Sequence, residues 1–267
     1  MKESRCFALP SNDLLCPADN MKHLDLFAGI GGFALAAKWL NWQTVGFVEK
    51  DEFCQKILRK NFGETVKIVT DIHDVTAFSF RQPDIITGGF PCQPFSQAGK
   101  RRGNEDDRAL WSEMFRVIKA YKPRWIVGEN VANFAAMELD NCLLDLENAG
   151  YETMSFVLPA CAVNAPQRRD RIWIIANTNG DGFLPKQIYE STGFEKPIWN
   201  EFKFSKLLAL EKSRYAANGG NHGISNGIPV RLDEVARLKG LGNSIVPQVA
   251  YEILSAIRDV DCQRTGT

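Results

Sequence analysis

The chain has no surplus of either charge: Lys and Arg number 32, and so do Asp and Glu. The strongly basic total that often marks a nucleic-acid binder is therefore missing, although a local basic face is enough for DNA. No apolar run approaches the length of a membrane span and no leader-like segment is present, so neither an anchor nor secretion is expected. The seven cysteines, at 6, 16, 54, 92, 142, 161 and 262, are odd in number, scattered, and form no CxxC pair. That argues against a disulfide framework or a structural zinc site and for a reduced, cytoplasmic protein. Internal repeats and low-complexity tracts are also absent.

What remains is ordinary globular composition, 45% hydrophobic and 24% charged over 267 residues. That suits one large domain, or one domain with a small appendage. Residues 1–20 carry Pro10, Pro17 and a Ser-Asn-Asp turn without any period, and are expected to form a poorly ordered extension. A strand–helix alternation then begins. Strands are predicted at His23–Ala28, Thr44–Glu49, Ile68–Ile72, Asp84–Thr87, Trp125–Gly128, Thr153–Leu158 and Arg171–Ala176. Helices are predicted over Phe33–Leu40, from Asp51 to about Asn61, from about Arg108 to Tyr121, and over about Phe134–Asn148. The alternation predicts an α/β fold, a mostly parallel Rossmann-like sheet with helices on both faces. Ligands of such sheets lie beyond the carboxyl ends of the strands.

Residues 177–228 lose the alternation and mix aromatics with lysines, Asn, Gly and Ser. A nucleic-acid-binding surface and a small core with a solvated rim both fit them. Helical periodicity returns at about Arg231–Leu238 and after Pro247. The expected organisation is thus one domain from 21–176 plus 229–267, interrupted by 177–228.

The unusual motifs fall at strand ends. Asp25-Leu-Phe-Ala-Gly29-Ile-Gly31-Gly32-Phe33 places glycines between a strand and a helix, where backbone can approach a ligand at the positive helix end. Glu49 ends the second strand, where a carboxylate can accept from a ribose diol, and Asp71 can accept from an exocyclic amine. Cys92 lies in Gly88-Gly89-Phe90-Pro91-Cys92-Gln93-Pro94-Phe95-Ser96, between two prolines that fix its bearing. Lys100, Arg101, Arg102 and Arg108 nearby can favour its thiolate or hold phosphates. Glu129, in Gly128-Glu129-Asn130-Val131 directly after an apolar strand, is placed for a raised pKa and proton donation. In Gln167-Arg168-Arg169-Asp170-Arg171, alternation points Gln167, Arg169 and Arg171 to one face. Gly242-Asn243-Ser244-Ile245-Val246-Pro247-Gln248 is a turn leading into a helix.

Taken in order, DLFAGIGGF, PCQPFS, ENV, QRRDR and GNSIVPQ resemble the cytosine-C5 DNA methyltransferase family, of the prokaryotic or phage type, over roughly residues 22–176 and 229–256. The resemblance implies methyl transfer from S-adenosylmethionine to carbon 5 of a flipped-out cytosine in double-stranded DNA, without a metal. It implies a cofactor pocket of Phe27, Gly29, Gly31, Gly32, Glu49, Asp71, Ile72, Gly89, Pro91, Leu110, Asn243 and Ser244. Cys92 matches the nucleophile, Glu129 the group that engages cytosine N3, and Arg169 and Arg171 the arginines that support the glutamate and the base. Gln93, Ser96, Lys100, Arg101, Arg102, Arg108 and Gln167 are the expected DNA contacts. A cognate restriction endonuclease or a specificity partner would be a further partner. The family's target-recognition region is usually longer than 177–228, so this chain is expected to read few base pairs or to share the readout. An RNA-modifying relative, a non-catalytic relative and a nicotinamide-dependent oxidoreductase are the competing readings; the last leaves PCQ, ENV and QRRDR unexplained.

Overall fold

The structure is a computed structural model and describes residues 17–90, 103–132, 134, 138–163, 165, 169–178 and 244–265. Seven strands form one sheet: β1 (Lys22–Leu26), β2 (Gln43–Val48), β3 (Ile68–Val69), β4 (Ile85–Gly88), β5 (Trp125–Val131), β6 (Glu152–Pro159) and β7 (Asp170–Asn177). Their order is β3-β2-β1-β4-β5-β7-β6. The pairings β3–β2, β2–β1, β1–β4 and β4–β5 are parallel, and β7 runs antiparallel to both β5 and β6. The chain runs outward from β1 through β2 and β3, then returns to β4. The resulting crevice at the carboxyl ends of β1 and β4 is where such a sheet takes its ligand.

Among the described residues the helices are α1 (Gly32–Trp39), α2 (Glu52–Phe62), α3 (Gly103–Tyr121), α4 (Leu139–Asn148) and α5 (Pro247–Thr265). Alternation along the buried strands sends successive side chains to opposite layers. Trp125, Val127, Trp173 and Ile175 join Phe33, Ala36 and Ala37 of α1 and Val249, Ile253 and Ile257 of α5 on one face. Ile86, Ile126, Ile172 and Ile174 meet Met114, Val117 and Ile118 of α3 and Cys142 and Leu146 of α4 on the other. Leu58 of α2 packs on Phe47 and Ala34. Arg124 Nη2 pairs with Asp261 Oδ2 at 2.8 Å, and the Trp125 indole N–H donates to Asp261 Oδ1, which ties α5 to the foot of β5.

Several elements differ from the expectations, each for a local reason. The third strand stops at Val69, because Asp71 accepts the His73 N–H and starts a 3-10 turn over Ile72–Asp74. β5 continues through Val131, so Glu129 and Asn130 lie inside the strand and not after it; the antiparallel neighbour β7 pairs with them up to Val131↔Arg171. α3 begins at Gly103, five residues before Arg108, and α4 only at Leu139. Upstream of Met21, Pro17–Asn20 forms a 3-10 turn, Ala18 is fully buried, and its carbonyl accepts the Trp42 indole N–H at 2.8 Å.

Candidate active site

The loop after β1 enters the left-handed region three times, at Phe27 (φ 54°), Gly29 (φ 55°) and Gly31 (φ 88°). Its glycines do different work. A Cβ at Gly31 would meet Phe62 and Leu58 side-chain carbons at 2.7 and 2.9 Å, and one at Gly32 would meet Ile245 Cγ1 at 2.5 Å. Those two let α1 pack closely. A Cβ at Gly29 would meet nothing within 4 Å among the described residues, so the loop tip is open on that side. Glu49, just past β2, holds this tip: its Oε2 accepts the Gly29 N–H at 2.6 Å and its Oε1 the Asp51 N–H at 2.7 Å. Beyond β3, Asp71 accepts from both the His73 ring and the His73 N–H, which hold its carboxyl down to about 2, and Lys50 Nζ stands 3.3 Å away. Ile72 is buried in the core under this turn, where Leu110 and Phe27 also pack. Arg116 of α3 donates to the carbonyls of Ile72 and Val75 at 2.8 and 2.7 Å and to Glu113, and so clamps the turn.

The second half of the site forms because β7 is antiparallel. Its amino end lies at the same edge of the sheet as the carboxyl ends of β4 and β5. Glu129 stands opposite Trp173, diagonal to Arg171, and Arg171 Nε reaches Glu129 Oε1 at 2.8 Å. Glu129 is 7% exposed, and burial pushes its carboxyl up to about 7 against the opposing pull of Arg171 and Arg169. Its Oε2 lies beside Gly89, 3.2 Å from where a Cβ there would stand. Arg169 comes one residue before β7 with φ 40°, so strand alternation does not extend to it; its Nη2 donates to the Ser244 carbonyl at 2.7 Å. That bond joins β7 to the segment entering α5. Phe90 is buried between Trp111 and Phe134, with ring centroids 5.4 and 5.2 Å away, and its carbonyl accepts from the Asn130 amide.

The structure thus brings Glu129, Arg171, Arg169, Ser244 and Gly89 together, and Gly29 with Glu49 beside them. Pro91, Cys92, Gln93, Ser96, Lys100, Arg101, Arg102, Gln167 and Asn243 lie outside the described residues, as does the side chain of Arg108. Sequence reasoning missed Arg116, Asn130 as a support of Phe90, and a buried polar group of His23, Asp25 and Thr87 under the glycine loop. The signal for the last was present: a histidine and a threonine in otherwise apolar strands. Among the described residues no cluster of His, Cys, Asp or Glu could hold a metal, and no helix is long and apolar enough to cross a membrane.

The family model of the C-5 cytosine-specific DNA methylases matches residues 21–218. The chain is 37% identical over 164 residues to type II methyltransferase M.HhaI of Haemophilus parahaemolyticus, covering 60% of this chain and 50% of that protein. It is 36% identical over 243 residues to type II methyltransferase M.HpaII of Haemophilus parainfluenzae, covering 84% and 65%. The Dnmt2 methyltransferase of S. pombe superposes with a TM-score of 0.51 at 25% identity, over 68% of this chain and 58% of that one. The chain spans about half to just under two-thirds of the length of these curated relatives.

Proposed function

The chain belongs to the C-5 cytosine-specific DNA methylase family, and from that premise we propose that it transfers a methyl group from S-adenosylmethionine to carbon 5 of cytosine in double-stranded DNA. The observation that carries the reading is Glu129, a buried carboxyl that burial pushes up to about 7, held by Arg171 and lying beside Gly89, which precedes Cys92 by three residues of chain.

The cofactor site fits the residues present. The open face at Gly29 leaves room for backbone approach, and Glu49 is already oriented by two backbone N–H groups with further lone pairs for a ribose diol. Asp71 and Ile72 bound the adenine side, where largely exposed Lys50 can yield its place on Asp71. Gly89, Pro91, Leu110, Asn243 and Ser244 complete the pocket. Bound there, S-adenosylmethionine supplies an electrophilic methyl group on a sulfonium.

The chain's own residues then make cytosine nucleophilic. The Cys92 thiolate adds to C6 of the flipped-out base while Glu129 delivers a proton to N3. Because Glu129 Oε1 accepts from Arg171, the proton sits on Oε2, the oxygen on the Gly89 side. Once C5 carries the methyl group, a base removes the C5 proton, the C6–sulfur bond breaks to release Cys92 as the thiolate, and N3 returns its proton to Glu129. Arg171 and Arg169 keep Glu129 in place and steady the base. Lys100, Arg101, Arg102 and Arg108 hold phosphates, and Gln93, Ser96 and Gln167 contact DNA near the target. Residues 177–228 are the target-recognition part.

The test is covalent trapping. Duplex DNA containing 5-fluorocytosine, incubated with the chain and S-adenosylmethionine, should give a denaturation-resistant adduct that mass spectrometry maps to Cys92, since fluorine at C5 blocks the final elimination. An adduct on RNA alone would overturn the substrate, and an adduct at another residue would overturn the nucleophile.

A further inference from the structure

We propose that a buried hydrogen-bond chain, Thr44–His23–Thr87–Asp25, positions the glycine loop and the amino end of α1 for the cofactor, with His23 as its central positioning residue. The inference rests on the cofactor reading above and deepens it. His23 and Asp25 lie on β1, Thr44 on β2 and Thr87 on β4, and His23, Asp25 and Thr87 are fully buried. The distances are 3.1 Å from Thr44 Oγ1 to His23 Nδ1, 2.7 Å from His23 Nε2 to Thr87 Oγ1, and 3.1 Å from Thr87 Oγ1 to Asp25 Oδ1.

The proton order follows from donor counting. Thr87 spends its single hydroxyl proton on Asp25, so it accepts from His23, and the proton of the ring is on Nε2. Burial holds the imidazole down to about 3, which keeps it neutral and leaves Nδ1 to accept from Thr44. The chain runs across the strands that carry Glu49, the glycine loop and Cys92 at their carboxyl ends. Asp25 precedes Phe27 by two residues; burial raises its carboxyl, against the opposing pull of the Thr87 hydroxyl and of the Ala34 N–H in the first turn of α1. Among the described residues its Oδ2 has no close hydrogen-bond partner. A buried imidazole and a half-satisfied carboxyl cost stability that apolar side chains of similar size would not. Asp25 and His23 lie two and four residues before Phe27 on β1, which ties the polar chain to the strand that leads into the glycine loop.

The experiment titrates S-adenosylhomocysteine by calorimetry into the full chain and its variants. His23→Leu should weaken binding about tenfold, and His23→Gln, which can both donate and accept, should recover most of it. Thr87→Val should follow the leucine variant and Thr87→Ser the wild type. With saturating cofactor, kcat should hold while KM for the cofactor rises. If the wild type binds and both His23→Leu and Thr87→Val bind as tightly, the chain supports only the fold and the proposal falls alone. If the wild type itself does not bind, the cofactor reading fails and takes this proposal with it. Imidazole nitrogen NMR on the wild type gives a readout that needs no variant to fold: the His23 Nε2–H signal should shift on addition of S-adenosylhomocysteine, and an unmoved signal overturns the proposal.

Discussion

Replacing Glu129 with glutamine should make the protein more stable at alkaline pH while removing its catalytic acid. The buried carboxyl sits at about 7 against an ordinary value of 4.5. A folded chain that binds this proton more tightly than the unfolded one loses stability as pH rises, because ionisation favours the unfolded state. The loss begins near pH 4.5, is complete just above pH 7, and amounts to about 3 kcal/mol for that gap. The neutral amide of the Glu129→Gln variant would mimic the protonated form at every pH. The two proteins should therefore be about equally stable near pH 4.5 and diverge above it, with the variant ahead by up to about 3 kcal/mol at pH 8.

Urea denaturation at pH 5, 6, 7 and 8, followed by tryptophan fluorescence, measures this directly, since Trp125 and Trp173 are fully buried in the sheet that carries Glu129. Asp25, whose carboxyl burial also raises, titrates alike in both proteins and cancels from the difference. A difference that stays constant with pH would refute the assignment of Glu129 as the group that titrates near neutrality. Methyl transfer by the same variant should fall by about two orders of magnitude or more, the usual contribution of a positioned acid.

The two kinds of glycine in the loop should separate under the same substitution. Gly32→Ala forces a carbon against Ile245 Cγ1 at 2.5 Å and should cost about 1–3 kcal/mol in thermal unfolding. Gly29→Ala meets open space, so its φ of 55° costs only about 1 kcal/mol, while S-adenosylhomocysteine titration should show the larger loss. Cys92→Ser should abolish turnover and keep S-adenosylhomocysteine binding; full activity in a methyl-transfer assay would sink the covalent mechanism. DNA affinity should fall linearly in log–log plots against salt, and neutralising Lys100, Arg101 or Arg102 should lower the slope by about one each in a fluorescence-anisotropy titration.

The strand–helix order and the motif positions were legible because each depends on local signals. Asp51 caps α2 through its own neighbours, accepting from the N–H groups of Phe53 and Cys54, and apolar periodicity marks α1 and α3. What escaped depends on partners far along the chain. That His23 bonds Thr87, 64 residues away, follows from β1 and β4 being neighbours, which no local period reveals. The three glycines look alike in sequence, yet two answer to Phe62, Leu58 and Ile245, and only Gly29 faces open space.

The sharpest case is QRRDR. Its alternation put Arg169 and Arg171 on one face, but alternation cannot say which end of the sheet a strand begins from. Had β7 run parallel to β5, its amino end, with both arginines, would lie at the edge opposite Glu129. The antiparallel reversal brings Arg171 onto the Glu129 carboxylate, and the left-handed turn at Arg169 frees that guanidinium to bond Ser244 and tie in α5. A buried glutamate with a proton near neutrality is therefore a product of topology as much as of motif. Burial by the sheet raises it, and the reversed strand supplies the cations that keep it from rising further.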